Sequence, residues 1–187
     1  GLAVLLEKLA DHGLADKPRI RKALVLTRFF SKRPRDDRRP PIEAHIFHAT
    51  WLLLRSYAAL DKKCPEHVAL ACLAHDIVED QADPRWRPVV RRILERAIGP
   101  EAMRIVDNVT KEYILEYARK TRGWPEGRYP PLAESQNEQL KLRRNKEYNQ
   151  RIKRGDFETL VVKLADRLSN YRARKVDDEK RQRYIDE

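Results

Sequence analysis

Residues 70–81, LACLAHDIVEDQ, join an apolar half to a run of ionisable side chains. The pattern predicts a helix that continues to about Asp80. On such a helix His75 and Glu79 share one face, and Asp76 shares the neighbouring face with Asp80. Apolar residues on the preceding turns indicate that this end of the helix points into the protein. Buried carboxylates without partners would cost several kcal/mol, so a compensating cation is expected, and a divalent metal ion can take both nitrogen and oxygen ligands.

Further nitrogen ligands are available in a predicted helix at residues 42–60. His45 and His48 are three positions apart on it and therefore lie on the same side. Helical spacing alone leaves open which of the two would join His75 at a metal ion.

An oxygen ligand is available in a predicted helix at residues 156–174. Asp166 forms a polar stripe there with Lys163 and Asn170, beside a predicted core stripe. An Asp and an Asn that border a core face are unusual. The predicted core stripe consists of Leu160, Leu164 and Leu168.

Three separate helices thus offer a mixed set of His nitrogens and Asp oxygens. Such a set suits Mn²⁺ or Fe²⁺ best, with Zn²⁺ and Mg²⁺ as alternatives. Each residue alone has an ordinary explanation, since a histidine can be a satisfied core residue and an Asp can pair with a nearby Arg. The order and local context of all three segments favour the metal site.

The elements that must position these side chains are helical. Gly is scarce, Leu, Ala, Arg, Lys and Glu dominate, and no segment has the pattern of a strand. We therefore expect an all-α fold, in which residues 1–187 form a single helical bundle domain with its core at about 20–175. Eight or nine helices are predicted, at about residues 2–11, 18–30, 42–60, 65–80, 84–99, 100–119, 134–153 and 156–174, before a weak or frayed tail.

Positive charge is concentrated in one part of the chain. The net charge is +11, and residues 17–39 hold ten Lys or Arg against two Asp. A cluster of this kind attracts polyanions, such as nucleic acid or a heavily phosphorylated small molecule. A solvated basic face is the ordinary alternative.

Two classes of protein are disfavoured by the sequence. No apolar run reaches the roughly 20 residues needed to cross a bilayer, and no signal-peptide pattern is present. Cys64 and Cys72 have no second CxxC pair, so they form neither a disulfide framework nor a zinc site. We expect a cytoplasmic protein with reduced cysteines and no membrane partner. The sequence does not determine its oligomeric state.

Several segments resemble one known family. The order His, His-Asp, Asp on successive helices resembles the HD superfamily of metal-dependent phosphohydrolases. HDIVED is similar to the HDxxED motif of its RelA/SpoT-type alarmone hydrolases, and VVKLADRLSNYR to their LVKLADRLxNxR segment. IVDNVTKE and PIEAH resemble two further segments, so the likeness extends over roughly residues 20–175. The chain looks like a stand-alone small alarmone hydrolase.

This resemblance implies an activity and a set of residue roles. The implied reaction is Mn²⁺-dependent removal of the 3′-diphosphate of (p)ppGpp, which gives GDP or GTP and pyrophosphate. Glu79 and Asp80 would position and activate the attacking water. The implied metal ligands are His45, His75, Asp76 and Asp166. The implied substrate-binding residues are Asn170 and Lys163, with Arg33 or Arg35 in the loop before the first histidine.

The chain also departs from the family pattern. The loop SKRPRDDRRPP contains no glycine, and residues 122–131 are an insertion. His48 precedes His75 by 27 residues, which fits the family spacing better than the 30 residues from His45, whereas PIEAH favours His45. These departures leave two alternatives: an HD phosphohydrolase for another nucleotide or phosphorylated metabolite, and a vestigial HD module that binds nucleic acid.

Overall fold

The computed structural model describes residues 1–31, 42–81, 84–125 and 134–173, and within these ranges every regular element is helical. The predicted all-α bundle is therefore confirmed. A single 3₁₀ turn, Pro84–Trp86, precedes α5. The nine α-helices of the described ranges are α1 (Leu2–Asp11), α2 (Pro18–Phe30), α3 (Ile42–Ala59), α4 (Glu66–Ala74), α5 (Arg87–Ile98), α6 (Pro100–Val109), α7 (Ile114–Thr121), α8 (Glu134–Lys153) and α9 (Phe157–Ala173).

Helix α4 lies at the centre of the bundle. It packs against α2, α3, α5, α6 and α9, and every residue from Val68 to Ala74 is buried. The most extensive helix pair is α3 with α9. The chain that leaves α4 at His75 therefore starts in the middle of the core, between α3 and α9.

Proline and glycine define several helix boundaries. Pro18 and Pro100 occupy the first turns of α2 and α6, where a missing N–H costs no hydrogen bond. Gly99 separates α5 from α6 with a φ of +86°, and a Cβ there would lie 3.3 Å from Arg19 Nη1. This junction therefore needs glycine.

The predicted fourth helix is too long. It ends at Ala74, and residues 75–80 form a series of turns, in which Ile77 N donates to Ala74 O and Asp80 N to Asp76 O. The i, i+4 face argument for the ionisable residues is therefore wrong in detail. The turns nonetheless keep His75 and Asp76 at the buried end of α4.

The predicted helix at residues 100–119 is in fact two helices. The backbone becomes extended at Thr110, and its hydroxyl donates to Val106 O at 2.7 Å. This local hydrogen bond competes with continuation of the helix. The break matters for the site, because the Lys111 N–H lies beyond the end of α6 and donates to Glu79.

The predicted core stripe of α9 faces outward. Leu164 is 60% exposed and Leu168 is 45% exposed. Small and polar side chains form the buried face instead, because they let α9 approach α3 closely. This buried face consists of Thr159, Val162, Ala165, Asp166 and Ser169.

Some predictions fall outside the described residues. They include Arg33 and Arg35, part of the basic segment 17–39, part of the 122–131 loop and the tail after 173. Among the helices of the described ranges, none combines the length and the apolar character that a membrane span requires.

Candidate metal centre

His75 is oriented by the end of α4. Its Nδ1 donates to Cys72 O, one turn back, at 2.7 Å. The proton is assigned to Nδ1 because the carbonyl can only accept. Nε2 therefore points toward the carboxylates of Asp76 and Asp166, at 3.3 Å and 3.7 Å from their nearest oxygens.

His45 reaches the same point from α3. Its Nε2 lies 3.1 Å from Asp166 Oδ1 and 3.4 Å from Asp76 Oδ2. Its Nδ1 lies 2.9 Å from Ser169 Oγ, and that hydroxyl donates to the His45 carbonyl at 3.2 Å. A hydroxyl that donates to the carbonyl accepts from Nδ1–H, which leaves Nε2 as the ligand atom.

Asp166 joins the group from α9. Its Oδ2 accepts from Lys163 Nζ at 2.6 Å, and its Oδ1 accepts from Asn170 Nδ2 at 2.6 Å. Burial opposes its ionisation, but the Lys163 charge and the neighbouring imidazoles of His45 and His75 hold its pKa well below the usual range. Asp166 is therefore a fixed carboxylate in the core.

Within the described ranges, four side chains each place one potential ligand atom close to those of the other three. The atoms of His45, His75, Asp76 and Asp166 all lie within 4.8 Å of one another. Buried His75 Nε2 makes no hydrogen bond, since 3.3 Å to a neighbouring carboxylate in poor geometry does not form one. An unsatisfied imidazole nitrogen that faces two carboxylates is the donor set a divalent ion requires, so this group could hold a metal ion.

The positive charge of the protonated histidines and the negative charge of the aspartates compensate one another in this group. Burial alone would lower the pKa of His75, but Asp76 and Asp166 raise it to about 9. Burial alone would raise the pKa of Asp76, but the histidine charges lower it to about 2. A dication at this position would supply the same compensation and displace the histidine protons.

Glu79 lies beside the group and has a different character. Its Oε2 accepts from Lys111 N at 2.9 Å. Burial, followed by the charge of Asp76, raises its pKa above the ordinary value, although Lys111 and Lys163 oppose the shift. A carboxylate with a raised pKa is a stronger base than an ordinary one, so Glu79 is suited to accept a proton beside a metal site.

The remaining sequence-predicted residues are distributed around this centre. Asp80 is half-buried, and its N–H donates to Asp76 O at 2.9 Å. Lys163 and Asn170 contact Asp166 directly. His48 lies outside the four-residue group, with Nδ1 at 3.0 Å from Ser169 Oγ.

Sequence reasoning missed two contributors. Ser169 orients His45, and Lys111 supplies the N–H that binds Glu79. Ser169 lies three residues after Asp166, so a polar residue on the buried face was a signal in the sequence. Lys111 lies in IVDNVTKE, one of the segments of the family resemblance, but its role could not be predicted because it acts through its backbone at an unexpected helix break.

Comparisons of the chain with protein-family models, with curated proteins and with solved structures find no match.

Proposed function

We propose that this chain is a metal-dependent phosphohydrolase of the HD superfamily, and that it acts as a (p)ppGpp 3′-pyrophosphohydrolase with Mn²⁺. The strongest support is that the sequence pattern and the geometry identify the same four residues. The four residues that the HD pattern marks as ligands are the four whose ligand atoms lie within 4.8 Å of one another in the described ranges.

The residues around the centre suit hydrolysis of a phosphate ester. A divalent ion bound here would lower the pKa of a coordinated water to about 7 and stabilise charge on phosphoryl oxygens. Glu79 has Oε2 committed to Lys111 N–H, so Oε1 takes the proton of the attacking water. Asp80 N donates to Asp76 O, which holds the Asp80 backbone close to that of the candidate ligand Asp76.

Asn170 and Lys163 contribute first to the metal ligand. Both bind Asp166, one at each carboxylate oxygen. Such partners fix the orientation of a ligand carboxylate. Their contact with substrate remains a prediction, as does that of Arg33 and Arg35.

A substrate panel tests the proposal. The purified chain is analysed for bound metal, then incubated with Mn²⁺ and ppGpp, pppGpp, GTP, GDP and dGTP, and the products are separated by anion exchange. We expect GDP and pyrophosphate from ppGpp, no product in EDTA and none from Asp166→Asn. Ser56→Ala is a matched control, because Ser56 is on α3 and its Oγ donates only to Leu52 O.

A second candidate is an HD phosphohydrolase for another nucleotide. It is favoured by the glycine-free loop SKRPRDDRRPP and the insertion at 122–131. Faster release of product from another member of the panel than from ppGpp would replace the first substrate with the second. Absence of hydrolysis throughout, with strongly salt-dependent binding of nucleic acid, would support the vestigial module instead.

A further inference from the structure

The short segment between α6 and α7, residues 110–113, approaches the candidate site at two points. Lys111 N donates to Glu79 Oε2 at 2.9 Å, and Thr110 Oγ1 lies 3.4 Å from His75 O. A segment outside the helices has no regular ladder of backbone hydrogen bonds to hold it. Its position, and that of the Lys111 N–H, therefore depends on the groups that bind its backbone.

One face of α8 supplies such groups. Three of its side chains each donate a hydrogen bond to a backbone carbonyl at the end of α6 or in the segment that follows. These bonds run from Tyr148 Oη to Val109 O at 2.7 Å, from Arg151 Nη2 to Thr110 O at 2.7 Å and from Arg144 Nη1 to Glu112 O at 3.1 Å. The donors are spaced i, i+4, i+7 along α8 and so share a face. Carbonyls at a helix end lack partners within the helix, and these three α8 donors satisfy carbonyls at the break.

Tyr148 is the α8 donor that lies nearest to the candidate site. Its side chain is buried, and its ring centre is 5.1 Å from Lys111 Nζ and 5.3 Å from Lys163 Nζ. Lys163 Nζ in turn donates to Asp166 Oδ2 at 2.6 Å. Tyr148 is therefore packed beside the residue whose backbone binds Glu79 and beside a partner of a candidate ligand.

The placement of Glu79 is sensitive to this segment. Glu79 lies in the turns after α4, so no helix fixes its backbone, and the Lys111 N–H holds one of its carboxylate oxygens. A shift of about 1 Å in a reacting group can cost about a hundredfold in rate. Movement of the segment 110–113 would move the Lys111 N–H, and with it the carboxylate.

We propose that α8 is a positioning element for Glu79, and that Arg144, Tyr148 and Arg151 act on it through the backbone of residues 109–112. The inference rests on the proposed function, in which Glu79 accepts a proton from the attacking water, and it adds the residues that hold this base in place. The three α8 donors bind backbone carbonyls, so we expect their substitution to lower kcat without a comparable loss of metal affinity.

The first test measures hydrogen exchange of the Lys111 amide by NMR in metal-free protein with EDTA. Tyr148→Phe keeps the ring and removes only the hydroxyl donor. We expect exchange to become about tenfold faster, the change that corresponds to one net hydrogen bond. Arg143→Gln is the matched control for Arg144→Gln, because the neighbouring Arg143 Nε donates to Glu147 Oε1 at 3.0 Å on the exposed side of α8. We expect Arg143→Gln to change exchange at Lys111 by less than about twofold.

A double-mutant comparison tests whether the effect reaches Glu79. In a Glu79→Ala background the Lys111 N–H has already lost its acceptor, so we expect Tyr148→Phe to add less than about threefold to its exchange rate. The same increase in both backgrounds would mean that α8 and Glu79 are independent, and it would overturn the proposal. No change at Lys111 in Tyr148→Phe, or an equal change in Arg143→Gln, would also overturn it.

Kinetics of the Mn²⁺-loaded chain supply the functional readout. We expect Tyr148→Phe to lower kcat by about tenfold, with KM and Mn²⁺ affinity each changed by less than about threefold; an unchanged kcat would overturn the proposal. Melting curves identify any variant that fails to fold, and exposed Arg151, as Arg151→Gln with Arg151→Lys as the partial rescue, then carries the same measurements. If the wild-type chain hydrolyses nothing, the proposed function is wrong, and the exchange comparison alone decides whether α8 positions Glu79.

Discussion

Two regions meet at Ser169 and differ in character, although each contains a histidine of α3. Around His45 the neighbours are Asp76 and Asp166, and the imidazole is buried. Around His48 the neighbours are aromatic and cationic: the Trp51 ring stacks on the imidazole with centres 5.9 Å apart, and Arg55 lies over that indole at 4.7 Å.

The difference indicates which histidine of α3 could serve as a metal ligand. Both histidines satisfy the helical spacing, and both contact the same serine hydroxyl. The carboxylates decide between them, because they provide the negative charge and the oxygen ligands that a divalent ion requires. Among the described residues, His48 packs on Trp51 and lies outside the group of four candidate ligands.

We expect the largest effect from substitution of His45, which is compared with the same substitution of His48. We expect His45→Gln to lower Mn²⁺-dependent hydrolysis by at least about a thousandfold, because a lost ligand removes several kcal/mol of charge stabilisation. We expect His48→Gln to lower it by less than about threefold, as for a residue outside the site. Steady-state kinetics and metal content of both variants check this. A larger loss in His48→Gln would make His48 the ligand.

Removal of the metal should change the thermal stability of the His48 variant but not that of the His45 variant. At about 100 times its Kd a bound ion stabilises the folded chain by about 2.7 kcal/mol, and its removal should lower Tm by roughly 5–10 °C in a chain of this size. Calorimetry with and without EDTA measures the shift. We expect it in the wild type and in His48→Gln, and none in His45→Gln. A shift in all three proteins would indicate a metal elsewhere.

Ser169 should have an intermediate effect, because it orients the ligand without touching the metal. We expect Ser169→Ala to weaken metal affinity by about 10–100-fold, the usual range for a hydrogen-bond partner of a ligating histidine. Titration with Mn²⁺ followed by electron paramagnetic resonance measures it. Ser56→Ala is the matched serine control on α3. Equal affinities in the two variants would remove Ser169 from the site.

We expect the smallest effect on metal binding from a substitution in the aromatic region around His48. Trp51→Phe keeps a ring but loses the larger stacking surface and the contact with Arg55. We expect a loss of about 1 kcal/mol in the free energy of unfolding and a change in Mn²⁺ affinity below about twofold. Urea denaturation and metal titration measure the two quantities. A strong loss of metal affinity would join the two regions into one site.

The sequence predicted the positions of the helices better than it predicted which face of a helix is buried. Pro18 and Pro100 mark the starts of α2 and α6, and Gly99 marks the end of α5, by local backbone constraints that need no knowledge of neighbours. The buried face of α9 depends on how closely α3 packs, so the apolar stripe through Leu164 and Leu168 misled the prediction. The turns after Ala74 contact a distant segment, since Thr110 Oγ1 donates to His75 O and Lys111 N to Glu79, and the sequence contains no sign of these contacts.

For the candidate site, the sequence indicated which residues could bind a metal ion, but it did not indicate which distant residues contact them. The His-Asp pair and the late Asp166 were identifiable as residues that do not belong in a core. The choice of His45 over His48, and the roles of Ser169 and Lys111, depend on contacts between distant segments.

The pairing of α3 with α9 also has a consequence for biosynthesis. His45 and Asp166 are 121 positions apart in the chain, yet their side chains are in contact. A nascent chain on the ribosome therefore exposes His45, His75 and Asp76 well before the last ligand is translated. Because three ligands bind an ion more weakly than four, the metal ion of the proposed centre would be captured only after α9 emerges and docks. Under the proposed function, the order of these residues along the chain makes metal loading a late step in biosynthesis.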